Sequence, residues 1–182
     1  MSLPKFSTRE YVFAALVVAA QLVISSILIP ITLPLRIPGL ANTINAPFSS
    51  CLLVIGLARL RKPGSMLLMA LIYALLCLLI SPVIFSFILC GGLLGEAVGT
   101  FGFRGYRSPR AQIASVVAHQ MGMFPAAMLF SFLFTPARFV KPVAWAWLVA
   151  EVAIATTSLL GALAGIRIVR ELVRAGKLRI EA

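Results

Sequence analysis

The sequence has few charged residues and few side chains suited to catalysis. Charged residues make up 12% of its 182 positions, and five of them are acidic. There is one histidine, and the three cysteines, Cys51, Cys77 and Cys90, lie in apolar runs without a CxxC motif. HExxH, GxSxG and glycine-rich phosphate-loop motifs are also missing. We therefore expect no enzyme activity, no metal and no other cofactor, with the cysteines acting as small buried apolar residues.

Apolar residues, in contrast, are in large excess. They make up 61% of the chain, whereas soluble domains have about 45–50%, and the mean hydropathy is +1.05. One soluble core of this size cannot bury that excess. A soluble enzyme, a nucleic-acid-binding module and a disordered chain are therefore excluded. The composition predicts a multi-pass, all-α integral protein of the cell membrane, with a single membrane domain over residues 1–182.

Six apolar segments predict a bundle of six transmembrane helices. Pro30, Pro34 and Pro38 are expected to end the first helix, and a stiff outer loop is expected to continue as far as Ala46. The second segment is short for a membrane span. The predicted spans cover approximately residues 11–33, 47–60, 65–80, 83–103, 112–134 and 143–166.

The distribution of basic residues predicts the orientation of these spans. With both termini on the inner side, 13 Lys and Arg residues lie inside, and only Arg36, Arg138 and Lys141 lie outside. This asymmetry agrees with the positive-inside rule. Without the second span the basic loop after it would face outwards, so the pattern favours six spans with N-in/C-in topology.

Small residues recur at a spacing of four in three of the predicted helices. Such spacing places them on one helix face, where another helix can approach closely. For the fourth and sixth helices we expect packing inside the bundle. For the first helix, internal packing and docking of another membrane subunit remain alternatives. The residues are Ala15 and Ala19; Gly91, Gly95 and Gly99; and Gly161 and Gly165.

Three ionisable residues, Glu96, His119 and Glu151, lie within predicted spans, where charge is costly. Glu96 and His119 are expected at similar depth, and Gln112 and Ser115 share the helix face of His119. Two roles for Glu96 and His119 remain alternatives: a structural pair between the helices and a proton relay. Glu151 lies in the outer half of its span and forms either the floor of an outward-facing pocket or an ordinary acid below a tryptophan belt.

The predicted outer loop contains polar side chains that suit ligand binding. Arg36, Asn42, Thr43 and Asn45 lie between the first two apolar segments, on a loop stiffened by proline. Loops held by a rigid scaffold often carry binding residues. Two asparagines suit a small polar heterocycle, and ordinary turn chemistry is the alternative.

Taken together, these features resemble the substrate-binding S component of energy-coupling factor (ECF) transporters. The resemblance covers nearly the whole chain and lies in the six helices with both ends inside, the FAALVVAAQL stretch around Ala15 and Ala19, the proline-broken first loop and the segment GGLLGEAVGTFGFRGYRSPRAQIASVVAHQMGMFP. It implies that a vitamin or vitamin precursor binds in the outer half. No fingerprint of the biotin or nickel/cobalt versions is present, so the substrate stays open.

The resemblance also implies partners and site residues. By their place in the topology, Asn42, Asn45, Phe85 and Glu151, with Arg36 from the loop, are expected to form the substrate site. Ala15 and Ala19 match the motif that docks on a membrane-embedded coupling subunit, and two ATPase subunits would supply the energy. The alternatives are a structural or assembly subunit of a membrane complex, and an ion or proton carrier that uses Glu96 and His119.

Overall fold

The structure, a computed structural model, describes residues 6–35, 39–134 and 144–176, and the regular secondary structure of these residues is entirely helical. A short 3-10 turn, Leu33–Leu35, follows the first helix, and a π-helical turn, Val98–Gly102, follows the fourth. The helices are α1 (Thr8–Thr32), α2 (Leu40–Leu60), α3 (Ser65–Leu78), α4 (Pro82–Ala97), α5 (Pro109–Phe134) and α6 (Ala144–Arg174).

Among the described residues, five helical segments are long and apolar enough to cross a membrane: α1, α2, α5, α6, and α4 together with the π-helical turn that follows it. Helix α3 is shorter. The all-α class is confirmed for the described residues. The expectation about which segment is short is wrong, because α2 has 21 residues whereas α3 has 14. At 1.5 Å per residue, α3 covers about 21 Å, less than the ~30 Å of a bilayer core.

The start of α2 corrects the predicted outer loop. Residues 40–46 are helical, so Asn42, Thr43 and Asn45 lie on the first turns of α2, which continues through Pro47. Contacts with α1 on one side and α6 on the other offset the loss of the backbone hydrogen bond that a proline cannot donate. Asn45 accepts a hydrogen bond from α1, and the Pro47 backbone lies against Gly161 of α6.

Helix α1 continues through Pro30 to Thr32, within one residue of the predicted end of the first span at residue 33. The Thr32 hydroxyl donates to the carbonyl oxygens of Leu28 and Ile29, at 3.3 and 2.9 Å. This shared hydrogen bond adds one side-chain donor to the last turn of the helix, near the proline, which has no N–H of its own.

All basic side chains of the described residues lie at one end of the bundle. We call this the basic end; α1, α3 and α5 begin there, and α2, α4 and α6 end there. The other end is called the opposite end. The residues of the predicted outer set, Arg36, Arg138 and Lys141, lie outside the described residues. The ten described basic residues are Arg9, Arg59, Arg61, Lys62, Arg104, Arg107, Arg110, Arg167, Arg170 and Arg174.

The main core cluster lies between α1, α2 and α3 and extends to α4 and α5. Helix α2 packs against α1, α5 and α6, and α4 packs against α3 and α5. Cys77 is buried, as predicted, whereas Cys51 and Cys90 are half-buried.

The glycines of α4 and α6 pack inside the bundle, as predicted. A Cβ at Gly161 would overlap the backbone of α2, and one at Gly165 would lie 2.8 Å from the Cys51 carbonyl oxygen. A Cβ at Gly95 would lie 2.8 Å from the Ser115 carbonyl oxygen. Since backbone cannot yield as a flexible side chain does, these positions keep α2 close to α6 and α4 close to α5.

Candidate functional site

Glu151, on α6 near the opposite end, is the strongest candidate for a ligand-binding group. Both oxygens of its carboxylate are buried, and neither has a hydrogen-bond partner in the part of the chain that the structure describes. A carboxylate in apolar surroundings without donors carries a large free-energy cost. Arg36, which was predicted to join Glu151 in the substrate site, lies outside the described residues. The two oxygens are thus acceptors suited to a ligand that brings N–H or O–H donors.

The first turn of α2 lies at the same level of the bundle as Glu151. Gly39 precedes α2 with a φ of +78°, which glycine adopts without strain. A Cβ there would lie 2.8 Å from the Cβ of Ala150 and 3.4 Å from the Phe124 ring. Gly39 is therefore packed against the residue next to Glu151. Asn42, half-buried three residues after Gly39, is brought to this level as well.

Asn45, in contrast, is engaged in helix packing. Its Oδ1 accepts a hydrogen bond from Ser25 Oγ at 3.1 Å, and the Tyr73 hydroxyl donates to the same Ser25 oxygen at 3.2 Å. One turn away, Gln21 Nε2 donates to Ser49 Oγ at 2.6 Å. Asn45 therefore helps to join α2 to α1 and α3.

Aromatic side chains also lie toward the opposite end. Phe85, in the first turn of α4, is half-buried against the main core cluster. Phe124, which the sequence did not distinguish from its apolar neighbours, is 2% exposed and packs with Ala150. Trp145 and Trp147 are 67% and 41% exposed, which suits the predicted interfacial belt.

At the basic end, the Glu96 carboxylate caps the N-terminus of α3. The backbone N–H of Gly64 donates to Oε1 at 2.6 Å, and those of Met66 and Leu67 donate to Oε2 at 3.1 and 3.2 Å. The first N–H groups of a helix have no partner within the helix, and they lie at the positive end of its dipole. Glu96, from α4, therefore supplies both the acceptors and the negative charge that α3 lacks.

Two hydroxyl groups complete the surroundings of Glu96. Thr100 Oγ1 donates to Oε1, and the Tyr106 hydroxyl donates to Oε2 at 2.8 Å. Burial, followed by the nearby negative charge of Glu96, raises the pKa of Tyr106, so its hydroxyl stays protonated as a donor. Gln112 Nε2 donates to the Tyr106 carbonyl oxygen at 2.8 Å. No motif in the sequence distinguishes Thr100 or Tyr106 as part of this network.

The structure does not bring Glu96 and His119 together, which corrects the predicted pair. The Glu96 carboxylate accepts from the α3 amides, Thr100 and Tyr106. His119 is 1% exposed and packs against Gly91 and Gly95 of α4. Equal depth does not determine which helix face a side chain occupies, and Glu96 faces α3 whereas the neighbouring Gly95 faces α5. A relay through a direct contact of these two residues has no geometric support.

Ala15 and Ala19 lie on the exposed face of α1. The buried face of this helix contains Ala14, Val17 and Val18 instead. Ala15 and Ala19 do not form an internal packing face, so the docking alternative is the one compatible with the geometry. The docking itself stays a prediction.

Comparisons with known proteins support the same architecture. No family model matches the sequence, and no curated relative matches it. A solved structure described as the crystal structure of an S component of an ECF transporter is similar, with a TM-score of 0.64 and 18% sequence identity; the similarity covers 96% of this chain and 89% of that one. As the sequence resemblance predicted, this chain has the fold of an ECF-transporter S component.

Proposed function

We propose that this protein is the substrate-binding membrane subunit of an ECF-type, ATP-driven importer, and that it binds a vitamin or vitamin precursor on the outer side. The observation that carries the proposal is the Glu151 carboxylate, whose two oxygens are buried and have no hydrogen-bond partner among the described residues, within a chain that has the S-component fold. A group that is costly in the empty protein is favourable where a ligand supplies its partners.

The distribution of charge supports an outward-facing site. The ten described basic residues all lie at the basic end, which by the positive-inside rule is the cytoplasmic end. Six spans with N-in/C-in topology in the cell membrane then place Glu151 toward the outside. The short α3 is accommodated by local thinning of the bilayer, at a modest cost.

The substrate site in this proposal consists of Glu151 and Asn42, with Phe85 on α4 and Arg36 from the segment before α2. Asn45 contributes to this site indirectly, because its hydrogen bond with Ser25 holds α2 against α1. The substrate carries N–H or O–H donors, or a positive charge, opposite Glu151, because a carboxylate only accepts hydrogen bonds.

In this function the chain catalyses no reaction. ATP hydrolysis belongs to two partner ATPase subunits, and a membrane-embedded coupling subunit docks on the exposed face at Ala15 and Ala19. Small side chains allow a partner helix to approach closely where both lie in lipid.

The experiment that tests this function is a thermal-shift screen of the purified protein against B vitamins and their precursors. A ligand that binds only the folded state raises its stability by RT ln(1 + [L]/Kd). With the ligand identified, Glu151→Gln is expected to weaken binding about ten- to hundredfold, equivalent to roughly 1.5–3 kcal/mol for a hydrogen bond to a charged group.

The matched control is Glu171→Gln, the same change at an exposed acid at the basic end, which is expected to leave the affinity unchanged. Isothermal titration measures both affinities. The melting temperature of the empty Glu151→Gln protein is expected to be unchanged or higher, because the carboxylate that is removed has no hydrogen-bond partner among the described residues. A large loss of stability without ligand would show that Glu151 has a structural partner, and unchanged affinity would exclude it from the site.

A further inference from the structure

A cleft at the basic end contains four arginines that the proposed function does not use. It lies between the end of α2, the start of α5 and the end of α6, and has a volume of about 250 Å³. Arg61, Arg107, Arg170 and Arg174 all line it. These side chains come from three separate segments of the chain, because Arg170 and Arg174 share α6. The helix packing, and not one basic run, therefore creates this concentration of charge.

The positive charge of the cleft is only partly balanced by the protein. Arg174 forms an ion pair with Glu171 at 3.0 Å, and Arg61 Nε donates to the Ala58 carbonyl oxygen at 3.2 Å. Arg107 and Arg170 form no ion pair with an acidic residue in the described ranges. Like charges in one small cleft repel each other, and a bound anion would relieve this repulsion.

The cleft combines this charge with an apolar wall. Ile166 and Val169 of α6 line it between the arginines, where the apolar part of α6 passes into its basic last turns. Guanidinium groups bind phosphate oxygens with two parallel hydrogen bonds, and the apolar wall suits the glycerol and the first methylenes of a lipid. A basic pocket between transmembrane helices at the cytoplasmic side is typical of anionic lipid binding.

We propose that this cleft binds the phosphate headgroup of an anionic phospholipid of the inner leaflet. Arg107 and Arg170 hold the phosphate, Arg61 and Arg174 add positive charge, and Ile166 and Val169 contact the lipid next to the headgroup. The cleft lies at the basic end and Glu151 lies near the opposite end, so lipid binding in the cleft is independent of the substrate.

The test measures binding of phosphatidylglycerol to the purified full-length protein by native mass spectrometry in detergent, with phosphatidylcholine as the comparison lipid. Wild-type protein is expected to retain phosphatidylglycerol preferentially. The Arg107→Gln, Arg170→Gln double variant is expected to lose at least tenfold in affinity, because two charge-assisted phosphate contacts disappear.

The matched control is the Arg110→Gln, Arg167→Gln double variant. It removes the same charge from the same region, at exposed arginines that do not line the cleft, and is expected to bind within about twofold of wild type, since diffuse surface charge is largely screened. A second cleft variant, Arg107→Lys with Arg170→Lys, keeps the charge but not the paired hydrogen bonds. Its affinity for phosphatidylglycerol is expected to lie between those of wild type and the glutamine variant. It replaces the glutamine variant in the test if that protein does not fold.

Three results would overturn the proposal. Equal loss in the cleft and control variants would mean that net charge alone attracts the lipid. Equal displacement of the lipid by inorganic phosphate at matched concentration would identify a site for free phosphate. Unchanged lipid binding, with impaired assembly of the cleft variant into a transporter complex, would identify an acidic surface of a protein partner.

Discussion

Replacing Glu96 by glutamine removes the charge that caps α3 but keeps the size of the side chain. Oε1 of Glu96 accepts from the Gly64 N–H and the Thr100 hydroxyl, and Oε2 accepts from two further α3 amides and the Tyr106 hydroxyl. A glutamine amide has one acceptor oxygen and one NH₂ donor group. The amide orientation that keeps more of these hydrogen bonds places its oxygen at the Oε2 position. The Gly64 N–H then loses its acceptor, while the Thr100 hydroxyl can turn to accept from the amide.

The magnitude follows from these contacts. An unsatisfied N–H costs about 1–3 kcal/mol, and the half-buried Gly64 belongs to the lower end of that range. The two remaining amide bonds change from charge-assisted to neutral, at roughly 1 kcal/mol each. The free energy of unfolding should therefore fall by about 3 kcal/mol. By the scaling for soluble proteins of this size, that lowers Tm by roughly 6–12 °C.

Thermal unfolding in detergent, followed with a thiol-reactive fluorophore, measures this change because Cys77 is buried in the folded protein. Glu171→Gln is the control, since its exposed ion pair contributes about 0–1 kcal/mol. Tyr106→Phe, which removes one donor without leaving an amide unpaired, should lower Tm by less than Glu96→Gln. If Glu96→Gln melts within about 2 °C of Glu171→Gln, the carboxylate does not stabilise α3 and the reasoning is refuted.

Three further predictions concern packing, topology and coupling. Gly161→Val should destabilise the protein by about 1–3 kcal/mol, because its side chain overlaps the α2 backbone; Gly102→Ala, where a Cβ meets no atom within 4 Å, should melt like wild type. A reporter at Lys62, between α2 and α3, should report the cytoplasm, and an external location would contradict the six-span topology. Ala15→Trp with Ala19→Trp should abolish uptake in cells while the isolated protein keeps its affinity for ligand. The reason is that close approach of a partner helix needs small residues. Loss of ligand binding would instead show that the two changes disturb the subunit itself.

The sequence by itself determined the class of the protein and the approximate positions of its helices. Membrane insertion depends on the length and composition of each apolar run, which are local properties that require no partner. The same is true of the glycine spacing in α4 and α6, whose packing the structure confirms. The sequence also indicated in part that Glu151 has no partner among the described residues, because no basic residue lies near it on its own helix.

Only the tertiary structure decided which polar groups meet. Glu96 caps α3 and does not pair with His119, since the rotation of α4 about its axis, and not depth alone, selects the partner. Residues 40–46 are helical because α1 and α6 pack on both sides of that segment, which outweighs the local preference of Pro47 for a helix boundary. The cleft at Arg107 and Arg170 exists for the same reason, because residues far apart in the chain become neighbours only when helices pack.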